Sequence, residues 1–167
     1  MIMDTNSLLT IARETIDKVP LCVASTAAHN GEVNARVLEP GKLRDDWSVW
    51  FVTNRRCRKV VEMERSGSLT LTYQYDPEKA YVTVVGRPVI DDDVALKRRI
   101  WGPASARWHP GGPEDPSVVV VKLIVDRIEL WNAARDVMPE PKGLSAAVLV
   151  REGSGWRYDA TSQPPAA

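Results

Sequence analysis

Four positively charged residues lie shortly after an apolar segment of this sequence. The segment Trp47–Val52 reads as a strand, and the cations after it are Arg55, Arg56, Arg58 and Lys59. Thr53 and Asn54 lie between the two and can cap a helix. Apolar residues then recur at helical spacing, as Val60, Val61 and Met63. The cations are therefore predicted to lie in the first turn of a helix.

A helix N-terminus carries a partial positive charge, so each cation placed there costs about 0.3–1 kcal/mol. An anion at this point would reverse the sign, because free backbone N–H groups and the cations would converge on it. The alternative is that these residues form an ordinary solvated basic surface. The pattern therefore makes an anion the ligand to test.

The length and composition of the chain favour one domain with a hydrophobic core. The chain has 167 residues, with 22 basic and 22 acidic side chains, so no global charge attracts it to nucleic acid or to a membrane surface. No segment approaches the roughly 18 apolar residues of a membrane span. The N-terminus does not resemble a secretory signal, and two cysteines, Cys22 and Cys57, do not make a disulfide framework. We expect a cytoplasmic protein.

The first half of the chain predicts a helix followed by a hairpin. Residues 7–18 form an amphipathic pattern that Asn6 or Ser7 can cap. Strands at 21–29 and 32–39 flank Asn30-Gly31, which favours a tight hairpin turn. In the second strand, Asn34, Arg36 and Leu38 share one face. Arg36 is then either an exposed edge arginine or a guanidinium directed at a ligand across the sheet.

The rest of the chain alternates short strands with turns. We predict that the helix after Lys59 ends at Gly67 and that strands follow at 68–75 and 79–90, with a bulge at Gly86. A helix is predicted at 91–101. A Gly- and Pro-rich loop spans 102–116 and carries Trp108 and His109 as a lid or rim.

A buried strand is predicted at 117–125, continuing through 127–131. Residues 136–143 read as a loop, and 144–151 with 156–158 read as a strand pair or a loose tail. The prediction is one mainly β domain with three peripheral helices (α+β) over 1–160, and a disordered tail at 161–167. The two histidines lie far apart in sequence, so we expect no metal site. No catalytic residue can be assigned.

The order of motifs resembles a known family. An N-G hairpin leads to A-R-V-L, then to T-N-R-R-C-R-K-V, W-G-P, W-H-P-G-G-P-E-D-P and I-E-L-W-N. This order is similar to the FMN-binding split barrel of the pyridoxamine 5′-phosphate oxidase-like superfamily, and most similar to its bacterial general stress protein branch. The resemblance covers about residues 5–135. It implies an antiparallel split β-barrel and a homodimer with two FMN sites at its interface.

The resemblance also implies a set of cofactor-binding residues. The family's phosphate-binding pair matches Arg58 and Lys59, and two strand segments of the family lie along the flavin. A residue before a V-x-V-x-G strand and a tryptophan after I-E-x reach the flavin from the second subunit. The implied set is Arg36, Val37, Leu38, Phe51, Val52, Thr53, Asn54, Arg58, Lys59, Tyr81 and Trp131.

One departure from the family narrows the expected function. Pyridoxamine-phosphate oxidases carry an R-x-H motif after the tryptophan that matches Trp131, whereas this chain has N-A-A-R-D-V-M. Vitamin B6 oxidation is therefore not expected. The resemblance implies a flavin-dependent oxidoreductase with an unknown substrate and redox partner. The alternatives are a flavin-binding sensor or store without turnover, and a binder of a deazaflavin or of haem, for which His29 and His109 are the available histidines.

Overall fold

The computed structural model describes residues 4–142 and 144–160, and within these an antiparallel sheet of eight strands forms most of the fold. The strand order is β2-β1-β4-β5-β6-β7-β8, and β3 pairs with β6 beside this path. The strands are β1 (Cys22–Ala27), β2 (Val33–Leu38), β3 (Ser48–Asn54), β4 (Leu69–Tyr75), β5 (Ala80–Asp91), β6 (Val118–Asn132), β7 (Ala147–Glu152) and β8 (Gly155–Tyr158). The helices are α1 (Thr5–Asp17), α2 (Arg58–Ser66), α3 (Val94–Ile100) and α4 (Pro103–Trp108), with a 3₁₀ turn at Asp76–Glu78.

Strand β6 is the axis of the sheet. One edge pairs with β5 over almost its whole length, from Ala80 opposite Asn132 to Asp91 opposite Val120. The other edge is divided, because residues 118–124 pair with β3 and residues 127–130 pair with β7. The segments predicted at 117–125 and 127–131 are thus one continuous strand. Because β3 and β7 share its second edge, the sheet can turn around the core at this strand.

The predicted irregularity at Gly86 is confirmed. The register of β5 against β6 shifts between Val85 and Gly86. A Cβ atom at Gly86 would lie 2.0 Å from the carbonyl oxygen of Ile124, which is too close for any side chain. Glycine is therefore required by the close approach of the two backbones at the bulge.

The core lies between the inner face of the sheet and helices α1 and α2. Alternate strand residues are buried, as the period of two in a pleated strand requires. Burying each Leu, Ile, Val or Met side chain contributes about 1.5–3 kcal/mol. The central members are Leu8, Ile11, Val60, Met63, Leu71, Val84, Leu123, Ile128 and Leu149. This core fixes α2 against β1 and so determines where the N-terminus of α2 lies.

The helix boundaries differ from the predicted ones. Helix α1 begins at Thr5, and Asp4 rather than Asn6 or Ser7 is its N-cap, since its carboxylate accepts the N–H groups of both. The segment predicted as a loop contains α4, so the described residues hold four α-helices and not three. Pro103 occupies a first-turn position of α4, where its missing N–H costs nothing.

The C-terminal segments form a strand pair and not a loose tail. Leu149 lies opposite Tyr158, and β7 also pairs with β6, so both strands are integral to the sheet. The tail predicted at 161–167 lies outside the described residues. Across the described part of the chain, no helix is long and apolar enough to cross a bilayer.

Candidate cofactor site

The N-terminus of α2 brings two of the four predicted cations into a helical first turn. Arg58 is the first residue of α2 and Lys59 the second, while Arg55 and Arg56 precede the helix. The first turn contains no acidic residue, and no side chain caps it. An uncapped helix N-terminus with two cations favours an anion through both its N–H groups and its charge.

The turn before α2 is built by residues predicted to cap the helix. The Asn54 side chain accepts the N–H of Arg56 at 2.9 Å and donates to the Ser117 hydroxyl at 3.2 Å. The Thr53 hydroxyl lies 3.5 Å from the Cys57 sulfur. Both side chains therefore shape the loop, and the N-cap itself is Cys57, which makes no side-chain capping bond.

Arg36 points from β2 toward α2. Its guanidinium donates to the Thr26 hydroxyl at 2.6 Å and to the carbonyl of Ala24 at 3.4 Å, and it pairs with the Glu62 carboxylate at 3.3 Å. It is thus neither an exposed edge arginine nor an unpaired one. The inward face of β2 and the second turn of α2 are joined through this guanidinium.

Glu62 is a residue that the sequence interpretation did not single out. It is only 7% exposed, and its carboxylate accepts the Thr26 hydroxyl at 2.5 Å and the Asn34 amide at 2.6 Å. Arg58 Nε lies 3.7 Å away, one helical turn earlier. The Thr26 hydroxyl, followed by Asn34 and Arg36, lowers the pKa of Glu62 below its usual range, so the carboxylate is ionised at neutral pH.

The predicted cofactor residues of β3 do not share one face. Phe51 and Thr53 are buried toward the core, whereas Val52 and Asn54 are half-buried on the opposite side. This alternation is what a strand imposes on consecutive residues. Each face of β3 can therefore contribute only part of a binding surface. At the end of the strand, backbone groups are available to a ligand as well as side chains.

Cys57 lies at the start of α2 beside these groups. Burial would raise the pKa of its thiol, but the hydroxyl of Thr53, the N–H of Val60 and the charge of Lys59 together lower it below the ordinary value. A thiol at a helix N-terminus beside a cation is favoured as the thiolate. The same positive potential that would hold a phosphate therefore also acts on Cys57.

A cleft of about 160 Å³ lies between β3 and α4. Phe51 and Val52 line one side, and Trp108 and His109 line the other. The Trp108 indole donates to the Glu39 carboxylate at 3.2 Å across the mouth of the cleft. The segment predicted as a lid or rim thus borders the strand that carries predicted cofactor residues.

Burial of His109 lowers the pKa of its imidazole. A hydrogen bond to the backbone of Val52 opposes this shift, and the positive charge of Lys59 adds to it. His109 is therefore electrostatically coupled to the N-terminus of α2. Its ring also lies near Trp101, with ring centres 6.4 Å apart.

Leu38 shares the inner face of β2 with Arg36 and packs against the core. The other predicted site residues, Val37, Tyr81 and Trp131, lie on the outer face of the sheet. Tyr81 is directly opposite Trp131 in the ladder of β5 and β6. Val37 lies on the same face, since it pairs with Val23, which pairs in turn with Thr72. Within one chain, this outer group and the cations of α2 are on different sides of the sheet.

Comparison with known proteins agrees with the fold. The family described as "Pyridoxamine 5'-phosphate oxidase like" matches residues 9–149. General stress protein 26 of Bacillus subtilis (strain 168) is 30% identical to this chain over 92 residues, which are 53% of this chain and 65% of that protein. The match therefore spans just under two thirds of this relative.

Two solved structures share the architecture. General stress protein 26 from Bacillus anthracis str. Sterne superposes with a TM-score of 0.63 at 24% identity, over 74% of this chain and 92% of the other. A pyridoxamine 5′-phosphate oxidase-related, FMN binding protein from Nostoc punctiforme PCC 73102 gives 0.69 at 12% identity, over 95% and 96%. The split-barrel fold predicted from the motifs is confirmed. Because the family match covers most of the sequence, this chain belongs to the pyridoxamine 5′-phosphate oxidase-like family.

Proposed function

We propose that this chain binds FMN and acts as a flavin-dependent oxidoreductase related to general stress proteins. The observation that carries the proposal is the uncapped first turn of α2 with Arg58, Lys59 and no acidic residue. A phosphate monoester has a charge of about −1.5 to −2 near neutral pH. A bound phosphate would therefore neutralise the positive charge of this turn and accept charge-assisted hydrogen bonds from its cations and N–H groups.

The residues around this turn fit the rest of such a cofactor. Arg58 and Lys59 would hold the phosphate, while Arg36, Leu38 and the segment 51–54 would flank the ribityl chain and ring. The cleft between β3 and α4 adjoins Phe51 and Val52 and offers space for a small reactant beside them. Bound FMN would supply hydride transfer, and the protein would bind and orient the cofactor and exclude water.

A homodimer is part of the proposal. On the outer face, Val33 is 70% exposed, Val37 68% and Val23 41%. Val23 and Val37 are cross-strand neighbours, and Val33 lies four residues from Val37 on the same face of β2. We propose that a second copy covers this face and that Tyr81 and Trp131 of each copy complete the flavin site of the other. The register of Tyr81 against Trp131 supports this, because it places both side chains on the same face of the sheet.

Flavin binding without turnover is the second candidate. It is favoured by the contacts of Arg36, because its guanidinium already donates to the Thr26 hydroxyl and pairs with the Glu62 carboxylate. A bound flavin that NADH or NADPH reduces, and that a second acceptor reoxidises repeatedly, would indicate an enzyme. A flavin that neither nicotinamide reduces would indicate a sensor or store.

Flavin titration tests the proposal directly. Purified protein stripped of ligand would be titrated with FMN, riboflavin, a deazaflavin and haem, and native mass spectrometry would identify the ligand retained from expression. We expect FMN to bind most tightly, at one molecule per chain in a dimer of two chains. Failure to bind FMN, or preference for a deazaflavin or haem, would contradict the proposal.

A further inference from the structure

Arg36 and Arg58 both form ion pairs with the Glu62 carboxylate, but Arg36 is held by more contacts than Arg58. Arg36 makes hydrogen bonds to Thr26 and Ala24 in addition to its ion pair with Glu62. Arg58 has a side chain that is 68% exposed and approaches Glu62 only through Nε, at 3.7 Å, which is beyond hydrogen-bond distance. Among residues 4–142 and 144–160, Arg58 has no other ion pair. It is therefore the cation that can leave this carboxylate at the smallest cost.

Arg58 is also the residue that an anion at the helix N-terminus would need. It is the first residue of α2, and Glu62 lies one turn further along the same helix. Because the Glu62 carboxylate is ionised and buried, it exerts a fixed negative charge on this guanidinium. An incoming anion and Glu62 therefore compete for the same side chain.

The Glu62 carboxylate offsets only part of the positive charge of the three cations nearest to it. Arg36, Arg58 and Lys59 carry three positive charges, and Glu62 carries one negative charge. At neutral pH these groups leave a net charge of about +2. Without Glu62 the same cations would repel one another at the positive end of α2.

We infer that Glu62 is an internal competitor for Arg58: its carboxylate pairs with Arg58 before an anion binds, and a phosphate dianion then takes Arg58 over. The inference rests on the proposed function, because it assigns the phosphate of FMN as the natural competitor. Glu62 acts on the ligand through Arg58 and is thus a positioning residue. It stabilises the basic first turn and moderates the affinity for phosphate.

Glu62→Gln removes the charge and preserves the shape of the side chain. We expect FMN to bind about three- to tenfold more tightly to this variant, because the competing ion pair is lost. Riboflavin, which lacks the phosphate, should bind as it does to the wild type. Flavin fluorescence titration measures both. A weaker affinity for FMN, or a parallel change for riboflavin, would overturn the inference.

Two matched variants show whether the effect passes through Arg58. Glu64→Gln makes the same charge change at an exposed position of the same helix and should leave both affinities unchanged. In an Arg58→Gln background, the gain from Glu62→Gln should disappear. An equal gain in Glu64→Gln, or a gain that persists without Arg58, would assign the effect to overall charge and overturn the inference.

Inorganic phosphate separates failure of this inference from failure of the proposed function. If the wild type binds no FMN, the proposed function fails, and phosphate-induced thermal stabilisation then decides the role of Glu62. Greater stabilisation of Glu62→Gln than of the wild type supports competition at an anion site. Equal stabilisation overturns it.

A wild-type measurement covers the case in which Glu62→Gln does not fold. The Nε–H resonance of Arg58 can be assigned in an ¹H–¹⁵N spectrum by its loss in Arg58→Lys. Adding inorganic phosphate should shift this resonance, because the guanidinium exchanges one anionic partner for another. A resonance that does not move at saturating phosphate would overturn the inference.

Discussion

Tyr81 lies directly opposite Trp131 in the antiparallel ladder of β5 and β6, and both side chains are half-buried on the outer face of the sheet. Burial raises the pKa of the Tyr81 phenol, and the nearby charge of Glu129 adds to this effect. Cross-strand aromatic pairs contribute to sheet stability and also form a flat apolar platform. On the same face, Thr72 and Gln74 of β4 lie between this pair and the valines Val23 and Val37.

Introducing a charge on this face should prevent dimer formation. Val23→Glu would place an unpaired carboxylate in the proposed interface, where desolvation is costly. We expect a monomer by light scattering and FMN affinity reduced by at least about tenfold, since the contacts of Tyr81 and Trp131 would be lost. Leu144→Glu, at an exposed leucine outside the sheet face, should leave both properties unchanged. A Val23→Glu dimer with normal affinity would refute the proposed interface.

Removing the cations of α2 should affect FMN far more than riboflavin. In Arg58→Gln/Lys59→Gln we expect FMN affinity to fall about 100-fold or more, because each charge-assisted contact contributes about 1.5–3 kcal/mol. Riboflavin affinity should change little. Lys142→Gln/Arg157→Gln removes the same charge elsewhere and serves as the control in the same fluorescence titration. Equal losses for both flavins would argue against a phosphate contact.

Cys57 should report on occupancy of the site by alkylation. Its lowered pKa gives a larger thiolate fraction at neutral pH than an ordinary thiol has. Cys22 is buried, and burial raises the pKa of its thiol to about 12, so it should not react in the folded protein. With iodoacetamide and peptide mass spectrometry, we expect Cys57 to be labelled first and FMN to slow its labelling. If saturating FMN left the labelling rate of Cys57 unchanged, this would contradict binding of the FMN phosphate at the N-terminus of α2.

Stability should decrease in alkaline solution because of a buried pair in the core. Burial raises the pKa of Cys22 from 9.0 to about 12, and burial followed by the charge of Cys22 raises the pKa of Tyr73 above its ordinary value. The folded state thus retains protons that the unfolded state releases. This contribution is complete below about pH 9 and is lost as pH rises toward 12.

Tyr73→Phe tests this pair. The Tyr73 hydroxyl is buried beside the Cys22 thiol, which is only a weak hydrogen-bonding group, and it makes no regular hydrogen bond within residues 4–142 and 144–160. Its removal should therefore raise the free energy of unfolding at neutral pH by about 0.5–1 kcal/mol. The alkaline loss of stability should also become shallower, as measured by urea denaturation at neutral pH and at about pH 11. A wild-type slope in this variant would contradict the assignment.

Local patterns predicted the features that depend on a few neighbouring residues. The alternation of β2 identified the face shared by Asn34, Arg36 and Leu38, and Asn30-Gly31 predicted the turn, in which Gly31 has a φ of +86°. Gly67 closes α2 in the left-handed conformation that was expected of it. Each of these features depends on backbone sterics or strand periodicity, which neighbouring residues in the sequence determine.

Features that depend on distant partners were missed. Glu62 is separated from Thr26 by 36 positions and from Asn34 by 28, so no local pattern could reveal its role. Its spacing of four from Arg58 was a visible signal that indicated a helical ion pair. Helix α4 was hidden by its Gly- and Pro-rich surroundings, although Pro103 after Gly102 is a common helix start.

The divided edge of β6 has a consequence for synthesis of the protein. Strand β3 finds its partner only in residues 118–124, more than 60 positions later, and β7 needs the adjacent part of the same strand. On the ribosome, most of the chain must therefore emerge before the sheet can close. Until then the backbone groups of β3 that bond to β6 remain unpaired, and a nascent chain stalled before β6 should be a preferred substrate for chaperones.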